Sequence, residues 1–126
     1  TLKMKNNLKH EIMWWMSRLT IMMTSLFLSM TLAAQAYAAE IQMGSGGNLV
    51  FEPNEITIDA GETVTFVNNA LPPHNIIFDK FASLSRESLM FTPGETQEIK
   101  FATAGDYDFK CAPHEGAGMK GVIHVK

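Results

Sequence analysis

From residue 39 onward, apolar and polar side chains alternate along the chain with a period close to two. Three stretches show this pattern, with apolar residues at Val64 and Phe66, at Ile99 and Phe101, and at Tyr107, Phe109 and Cys111. Successive side chains of a β-strand point to opposite faces of its sheet, so this alternation is typical of half-buried strands. These stretches are therefore predicted to be strands with one face in the core.

Short segments rich in Gly, Pro and Asn separate the alternating stretches and predict turns. They lie at residues 44–48, 53–54, 60–61, 68–69, 93–94 and 104–105. Residues 79–88 lack clean alternation and leave room for a helical turn. Turns at this spacing predict an all-β fold, a two-sheet Greek-key β-sandwich of seven to eight short strands.

The beginning of the chain has a different pattern. Basic residues up to Arg18 precede an apolar run at residues 19–32, and the small-x-small sequence Ala36-Tyr37-Ala38 follows it. This three-part pattern predicts a secretory signal over residues 1–38, cleaved to leave one domain at residues 39–126. The apolar run holds fourteen residues. A membrane-spanning helix needs about 20, so a retained anchor is the less favoured alternative.

Charge changes the picture once the predicted signal is set aside. Residues 1–38 contain four of the ten basic residues and one of the thirteen acidic residues, which leaves twelve acidic against six basic residues in the predicted domain. Binding to nucleic acid needs a basic surface. Nucleic acid is therefore excluded as an expected partner.

One short segment concentrates metal-binding chemistry. Cys111, the chain's single cysteine, is followed by His114 and Met119, with Pro113 and two glycines between them. Offsets of three and eight residues would scatter these side chains around a helix, and Pro113 would obstruct one, so residues 111–119 are predicted to be a loop. Exported proteins usually pair their cysteines in disulfides. Binding a metal would give an unpaired cysteine a different role. With His74, which follows two prolines, the set is two imidazoles, one thiolate and one thioether, typical of blue copper.

A sandwich explains how these distant residues could meet. His74 precedes a predicted strand at residues 75–79, and Cys111 ends another at residues 106–111. If the two strands are antiparallel neighbours, both side chains reach the same end of the sheet, and Met119 lies beside them before a last strand at residues 120–126. His124 falls on the polar side of that last strand and is expected to be a surface residue rather than a ligand.

Longer motifs surround the candidate ligands. They are Asn68-Asn69, Pro72-Pro73-His74-Asn75, Leu-Met-Phe-Thr-Pro-Gly-Glu at residues 89–95, Cys111-Ala112-Pro113-His114 and Gly116-Ala117-Gly118-Met119. Over residues 41–125 the chain resembles the plastocyanin family, which has the cupredoxin fold. The resemblance implies one copper ion, Cu(I)/Cu(II), held by His74, Cys111, His114 and Met119.

The same resemblance implies a function and partners. It implies a soluble, monomeric one-electron carrier that accepts electrons from cytochrome f and passes them to photosystem I. It also implies a location in the thylakoid lumen, peripheral to the membrane, with the periplasm as the alternative. Such a protein is an electron carrier and not an enzyme.

Supporting and docking residues are implied as well. Asn75 is implied to steady the Cys111 loop by hydrogen bonds, and Pro113 to lie beside the ligands. Apolar patches on a surface commonly mark contacts with partners. The residues implied to form such a patch around His114 are Leu49, Leu71, Pro72 and Pro113.

Three features depart from the family pattern. Lys110 stands where the family usually has a tyrosine at a second docking site. The segment at residues 79–89 is shorter than in most members and lacks an acidic run. Glu115 follows His114 where many bacterial relatives have a basic residue, which is expected to reverse the local charge. Copper binding is expected to survive these changes, whereas partner choice and the docking role of Lys110 need not.

Other functions stay open at this point. A blue-copper carrier for another acceptor, such as a respiratory oxidase, would use the same ligands. A copper chaperone or storage protein, or an adhesion-type sandwich without metal, could use the same fold. A copper enzyme is disfavoured, because a catalytic metal keeps one coordination position open and four protein ligands leave none.

Overall fold

The computed structural model describes residues 2–28 and 38–126. The chain forms two compact units, Thr1–Gln35 and Ala36–Lys126. The first unit contains helix α1 (Leu2–Leu28), and no helix in the described ranges is both long and apolar enough to cross a membrane. The predicted signal runs on through residues 29–37, which lie outside the described residues. Its cleavage stays a prediction.

The second unit is built from short strands. Within residues 38–126 they are β1 (Ala39–Met43), β2 (Phe51–Glu52), β3 (Glu55–Ile58), β4 (Thr63–Asn68), β5 (His74–Ile76), β6 (Arg86–Met90), β7 (Thr96–Lys100), β8 (Gly105–Lys110) and β9 (Lys120–Val125). This is one strand more than the upper prediction, because β2 has only two residues. Alternation cannot be recognised over so few residues.

The strands form two layers. One sheet has the order β2-β1-β4-β7, in which β1 is parallel to β4 and β4 is antiparallel to β7. The other has the order β3-β9-β8, and the antiparallel pair β5-β6 is attached to it where Ile77 bridges Lys110. Two backbone hydrogen bonds make this bridge, from Ile77 N to Lys110 O (2.9 Å) and from Lys110 N to Ile77 O (3.0 Å). The predicted two-sheet, all-β fold is confirmed.

Aromatic side chains join the two sheets in the core. Phe109 of β8 contacts Phe51 of β2 and Phe66 of β4, with ring centroids 4.7 Å and 5.3 Å apart. Both contacts are edge-to-face, the arrangement that the quadrupoles of aromatic rings favour. All seven apolar positions of the predicted alternating stretches are buried. The alternation therefore identified the core-facing side of each of these strands correctly.

Two predicted irregular segments contain short helical turns. Residues 79–88, which showed no alternation, include a 3₁₀ turn at Ala82–Leu84 before β6 begins. The loop predicted at residues 111–119 is not irregular throughout, because Ala112–Ala117 form 3₁₀ turns. Pro113 is compatible with these turns because it lies in the first turn, where a backbone N–H has no partner within the helix, so the N–H that proline lacks is not needed.

His124 connects three strands on the surface of the second sheet. Its Nδ1 lies 2.6 Å from Asp106 Oδ1 on β8, and its Nε2 lies 3.1 Å from Glu55 Oε1 on β3. The two carboxylates raise the pKa of His124 above its ordinary value through hydrogen bonds and charge, with Asp106 contributing most. The side chain is about one-third exposed, in keeping with the surface position predicted from alternation.

This arrangement predicts a pH-dependent contribution to stability. A histidine whose pKa is raised by folding stabilises the folded state below its unfolded pKa, and this contribution is lost as the pH rises through the folded pKa. The difference in unfolding free energy between the native chain and His124→Gln should therefore be larger near about pH 6 than near about pH 9. Urea unfolding of both proteins across that range measures it. Parallel pH profiles would show that the two carboxylates do not act on His124.

Candidate metal centre

Three side chains converge on one point beside the core. The distances are 3.2 Å between His74 Nδ1 and His114 Nδ1, 3.3 Å between Cys111 Sγ and His114 Nδ1, and 3.7 Å between Cys111 Sγ and His74 Nδ1. His74 and Cys111 are completely buried, and His114 is half-buried. In the described part of the chain this is the one cluster of three His, Cys, Asp or Glu side chains that could hold a metal ion.

The strand arrangement brings two of these residues together. His74 is the first residue of β5, and Cys111 immediately follows the last residue of β8. The antiparallel bridge between Ile77 and Lys110 aligns the two segments, so that both side chains reach the same end of the sheet. The two segments are thus antiparallel neighbours, which is the condition under which both side chains reach one end of the sheet.

Backbone hydrogen bonds close the segment that carries the third residue. His114 N donates to Cys111 O (3.1 Å), and Met119 N donates to His114 O (3.3 Å). Cys111 N donates to Met119 O (3.1 Å), which joins the two ends of the segment. Met119 is completely buried at the base of this loop. A short closed loop on two strands thus sets the position of His114.

The spacing and the chemistry of the donors fit a small transition-metal ion. Ligand bonds of about 2.0–2.3 Å at tetrahedral angles place neighbouring N and S donors roughly 3.3–3.6 Å apart. The observed donor separations of 3.2, 3.3 and 3.7 Å lie at or just outside the limits of that range. Two imidazoles with one thiolate suit copper in particular. The site could therefore hold one copper ion between these three side chains.

Burial shifts the pKa values of the His74 imidazole and the Cys111 thiol in opposite directions. The pKa of His74 is lowered, first by burial and then by the nearby charge of His114, against a smaller opposing effect of a backbone hydrogen bond at Ala70. The imidazole is therefore kept neutral, the form that binds a metal. Burial raises the pKa of the Cys111 thiol, although backbone hydrogen bonds at Asn75 and His114 oppose this. A metal must displace the thiol proton, so metal binding releases a proton from this site.

Asn75 links three segments around the cluster. Its side chain accepts a hydrogen bond from Ala112 N (2.8 Å) and donates one to Glu87 O in β6 (3.1 Å). The residue is nearly fully buried. It therefore ties the start of the loop at Ala112 to both strands of the β5-β6 pair.

Lys110 and Glu115 form an ion-pair cluster with two neighbours. Lys110 Nζ lies 2.8 Å from Asp79 Oδ2 and 3.1 Å from Glu115 Oε2, and Lys120 Nζ lies 3.5 Å from Glu115 Oε1. These contacts raise the pKa of Lys110, chiefly through Asp79, and lower the pKa of Glu115, chiefly through Lys110. The positive charges of the two lysines balance the negative charges of Asp79 and Glu115. The reversal of charge expected from Glu115 is therefore offset by its lysine partners.

The residues expected to meet partners differ in exposure. Leu71 is 58 % exposed, Pro72 and Pro113 are exposed as well, and Leu49 is half-buried and packs against the core. Val50, which the sequence did not single out, is 41 % exposed next to Leu49.

Two further residues near the cluster were given no role in the sequence analysis. Asn68 is fully buried, and its side-chain amide donates to Met90 O (3.3 Å) and Thr92 O (3.1 Å). Gly44 lies against the ring of His74. Both occur in segments that were interpreted as turns, and their environment depends on residues far away in the chain.

The site lies at one end of a two-sheet sandwich and combines a half-buried imidazole, a buried imidazole and a buried thiol. This combination defines a class of proteins, the small cupredoxins that bind a single copper ion. Comparison with known proteins agrees. The chain belongs to the plastocyanin/azurin family of copper-binding proteins, whose sequence pattern matches residues 37–126.

Individual relatives narrow this further. The chain is 50 % identical to plastocyanin of Scenedesmus fuscus over 95 residues, which cover 68 % of this chain and 97 % of the relative. It is 46 % identical over 107 residues to the chloroplastic plastocyanin of Chlamydomonas reinhardtii, covering 79 % and 74 % of the two chains. The oxidised plastocyanin structure from Dryopteris crassirhizoma superposes with a TM-score of 0.63 at 35 % identity, covering 70 % of this chain and all of that one. The resemblance to plastocyanins seen in the sequence is confirmed.

The hydrogen bonds of Asn75 lead to a prediction. Asn75→Ala leaves Ala112 N and Glu87 O without their partner, and an unsatisfied buried polar group costs about 1–3 kcal/mol. The free energy of unfolding should fall by about this amount in urea denaturation without metal. Asn69→Ala, at an exposed asparagine nearby, is the control and should cost far less. Equal losses in both variants would contradict the role of Asn75 in holding the loop.

Proposed function

We propose that this protein carries single electrons from cytochrome f to photosystem I in the thylakoid lumen, using one copper ion. The observation that carries the proposal is the convergence of His74 Nδ1, His114 Nδ1 and Cys111 Sγ within 3.7 Å of one another. The relatives named plastocyanin, one of them labelled chloroplastic, support the photosynthetic role and the compartment. Cleavage of residues 1–38 would release the copper domain as a soluble monomer.

The proposed ligands are His74, Cys111, His114 and Met119. The first three converge directly, and the buried Met119 closes the loop that carries Cys111 and His114. When bound, copper supplies one-electron chemistry, alternating between a state that favours sulfur and a state that favours nitrogen. The chain's part is to hold a mixed donor set in a rigid, water-excluding position that suits both states.

His114 is the proposed point where electrons enter and leave. Cys111 and His74 are completely buried, whereas His114 is half-buried and lies in the exposed 3₁₀ segment Ala112–Ala117. A partner can therefore approach one edge of the donor set without any rearrangement of the core. The exposed Leu71 and Pro113 would make that approach apolar.

The ligand assignment predicts unequal effects of two substitutions. Cys111→Ser removes the thiolate, which makes the strongest bond and gives the intense colour, so the oxidised protein should lose its blue absorption. Met119→Gln should remain blue with a changed potential, because glutamine serves as the weak axial ligand in related sites. Absorption spectra and redox titrations of the two variants measure this. Blue colour in Cys111→Ser would refute the assignment.

The docking proposal predicts that charge near His114 slows the acceptor reaction. Leu49→Glu places a carboxylate in the apolar patch, and burying it unpaired on docking costs a few kcal/mol. Electron transfer to photosystem I should then slow by more than about tenfold, since 1.4 kcal/mol is a factor of ten. Leu49 is half-buried, so Leu71→Glu, at a side chain that is 58 % exposed, provides the same test with less risk to folding.

Lys110→Tyr is the matched substitution at the second docking site, where the family usually has a tyrosine. It removes the cation between Asp79 and Glu115 and leaves the ion-pair cluster with one excess negative charge. It should alter mainly the reaction with cytochrome f and its salt dependence, because surface charge steers encounter. Flash kinetics with each partner over a range of salt compares the variants. If both glutamate variants react at the native rate and Lys110→Tyr changes photosystem I turnover tenfold, the apolar docking proposal is wrong.

A carrier for another acceptor, such as a respiratory oxidase in a periplasm, is the second candidate. The departure at Lys110 favours it, since Lys110 stands where the family usually has a tyrosine at the second docking site. Reduction by purified cytochrome f followed by reoxidation at photosystem I separates the two candidates. A blue protein that exchanges electrons with neither partner would support the second.

A further inference from the structure

Gly44 occupies a position where no other residue fits beside His74. It directly follows β1, is buried, and has φ of +78°. A Cβ built on Gly44 would lie 2.5 Å from His74 Nε2, 3.3 Å from His74 Cδ2 and 3.1 Å from Ala70 O. Real Cβ atoms essentially never approach a ring nitrogen this closely. The space that a side chain would fill is therefore already occupied by the imidazole.

The backbone of Gly44 cannot easily move away from the ring. Its N–H donates to Val50 O (3.0 Å), and its carbonyl accepts from Gly47 N (2.9 Å). The preceding residue is fixed as well, because Asn69 N donates to Met43 O (2.8 Å). Relief of a clash would therefore have to come from movement of His74.

The ring of His74 has little freedom in the other direction. The residue is completely buried, and its Nδ1 lies 3.2 Å from His114 Nδ1 and 3.7 Å from Cys111 Sγ. Gly44 contacts the opposite edge of the ring, at Nε2 and Cδ2. The imidazole thus lies between the Gly44 backbone on one side and the other two donors on the other side.

We propose that Gly44 is a positioning residue for the metal centre, which sets the place and plane of the His74 ring and so the direction of its Nδ1. The proposal rests on the copper ligands given above and extends them to a residue that contacts no metal. A side chain at position 44 would push the ring toward His114 and Cys111 and distort the donor set. Losses of about 10-fold to 100-fold in metal affinity are typical when a residue that orients a ligand is changed.

The test compares Gly44→Ala with Gly47→Ala in the full chain. Gly47 has φ of +79°, lies in the same turn and would have nothing within 4 Å of an added Cβ, so its alanine variant carries the same backbone strain without the contact. Gly44→Ala should bind Cu(II) about tenfold more weakly or worse, with a shifted absorption spectrum and a changed potential. Gly47→Ala should match the native spectrum and potential. Equal spectra and affinities in the two variants would overturn the proposal.

A second measurement needs no metal and applies even if Gly44→Ala folds poorly. In a His74→Ala background the ring is absent, so Gly44→Ala should keep only the cost of its backbone strain and of the 3.1 Å approach to Ala70 O. In the native background without copper it should cost clearly more. This double-mutant cycle isolates the contact between residues 44 and 74. A cycle without coupling would refute the contact, whereas a colourless native protein would refute the copper ligands and leave the contact standing.

Discussion

The antiparallel bridge between Ile77 and Lys110 is the interaction on which the metal centre depends. Its two backbone hydrogen bonds attach the β5-β6 pair to β8 and place His74 and Cys111, 37 residues apart in the chain, at one end of the sheet. Without this bridge the pair would have no sheet to extend, and a two-stranded unit is marginally stable alone. The loop and the hydrogen bonds around the site adjust the positions of His74 and Cys111, which backbone pairing has already brought together.

Around that bridge the fold brings the three donor side chains together. Burial keeps His74 neutral and disfavours the Cys111 thiolate, so copper must displace a proton from Cys111 when it binds. The loop is closed by main-chain bonds between Cys111 and Met119, and Asn75 anchors its start. A rigid site of this kind suits electron transfer, because donors that are already in place need little movement when the charge on copper changes.

Sequence and structure agree where local pattern decides the outcome. Alternation located the buried faces of β4 and β8, and the spacing of Cys111, His114 and Met119 indicated the metal-binding loop. The two-residue strand β2 and the 3₁₀ turns at Ala112–Ala117 were missed, since neither leaves a periodic signal. The closeness of Gly44 to His74 and the pairing of Glu115 with Lys110 were also missed, because such contacts depend on how distant segments pack. Charges that looked disruptive one at a time, at Lys110 and Glu115, neutralise each other once they are brought together.

Together, His74, Cys111 and His114 are positioned to hold a single copper ion. Titration of the metal-free full chain with Cu(II), followed by absorption and by counting free thiol, measures this binding. We expect an intense blue band that grows linearly to one equivalent of copper, while the reactive thiol of Cys111 disappears in parallel. A colourless complex, or a blue band that leaves the thiol free, would contradict it.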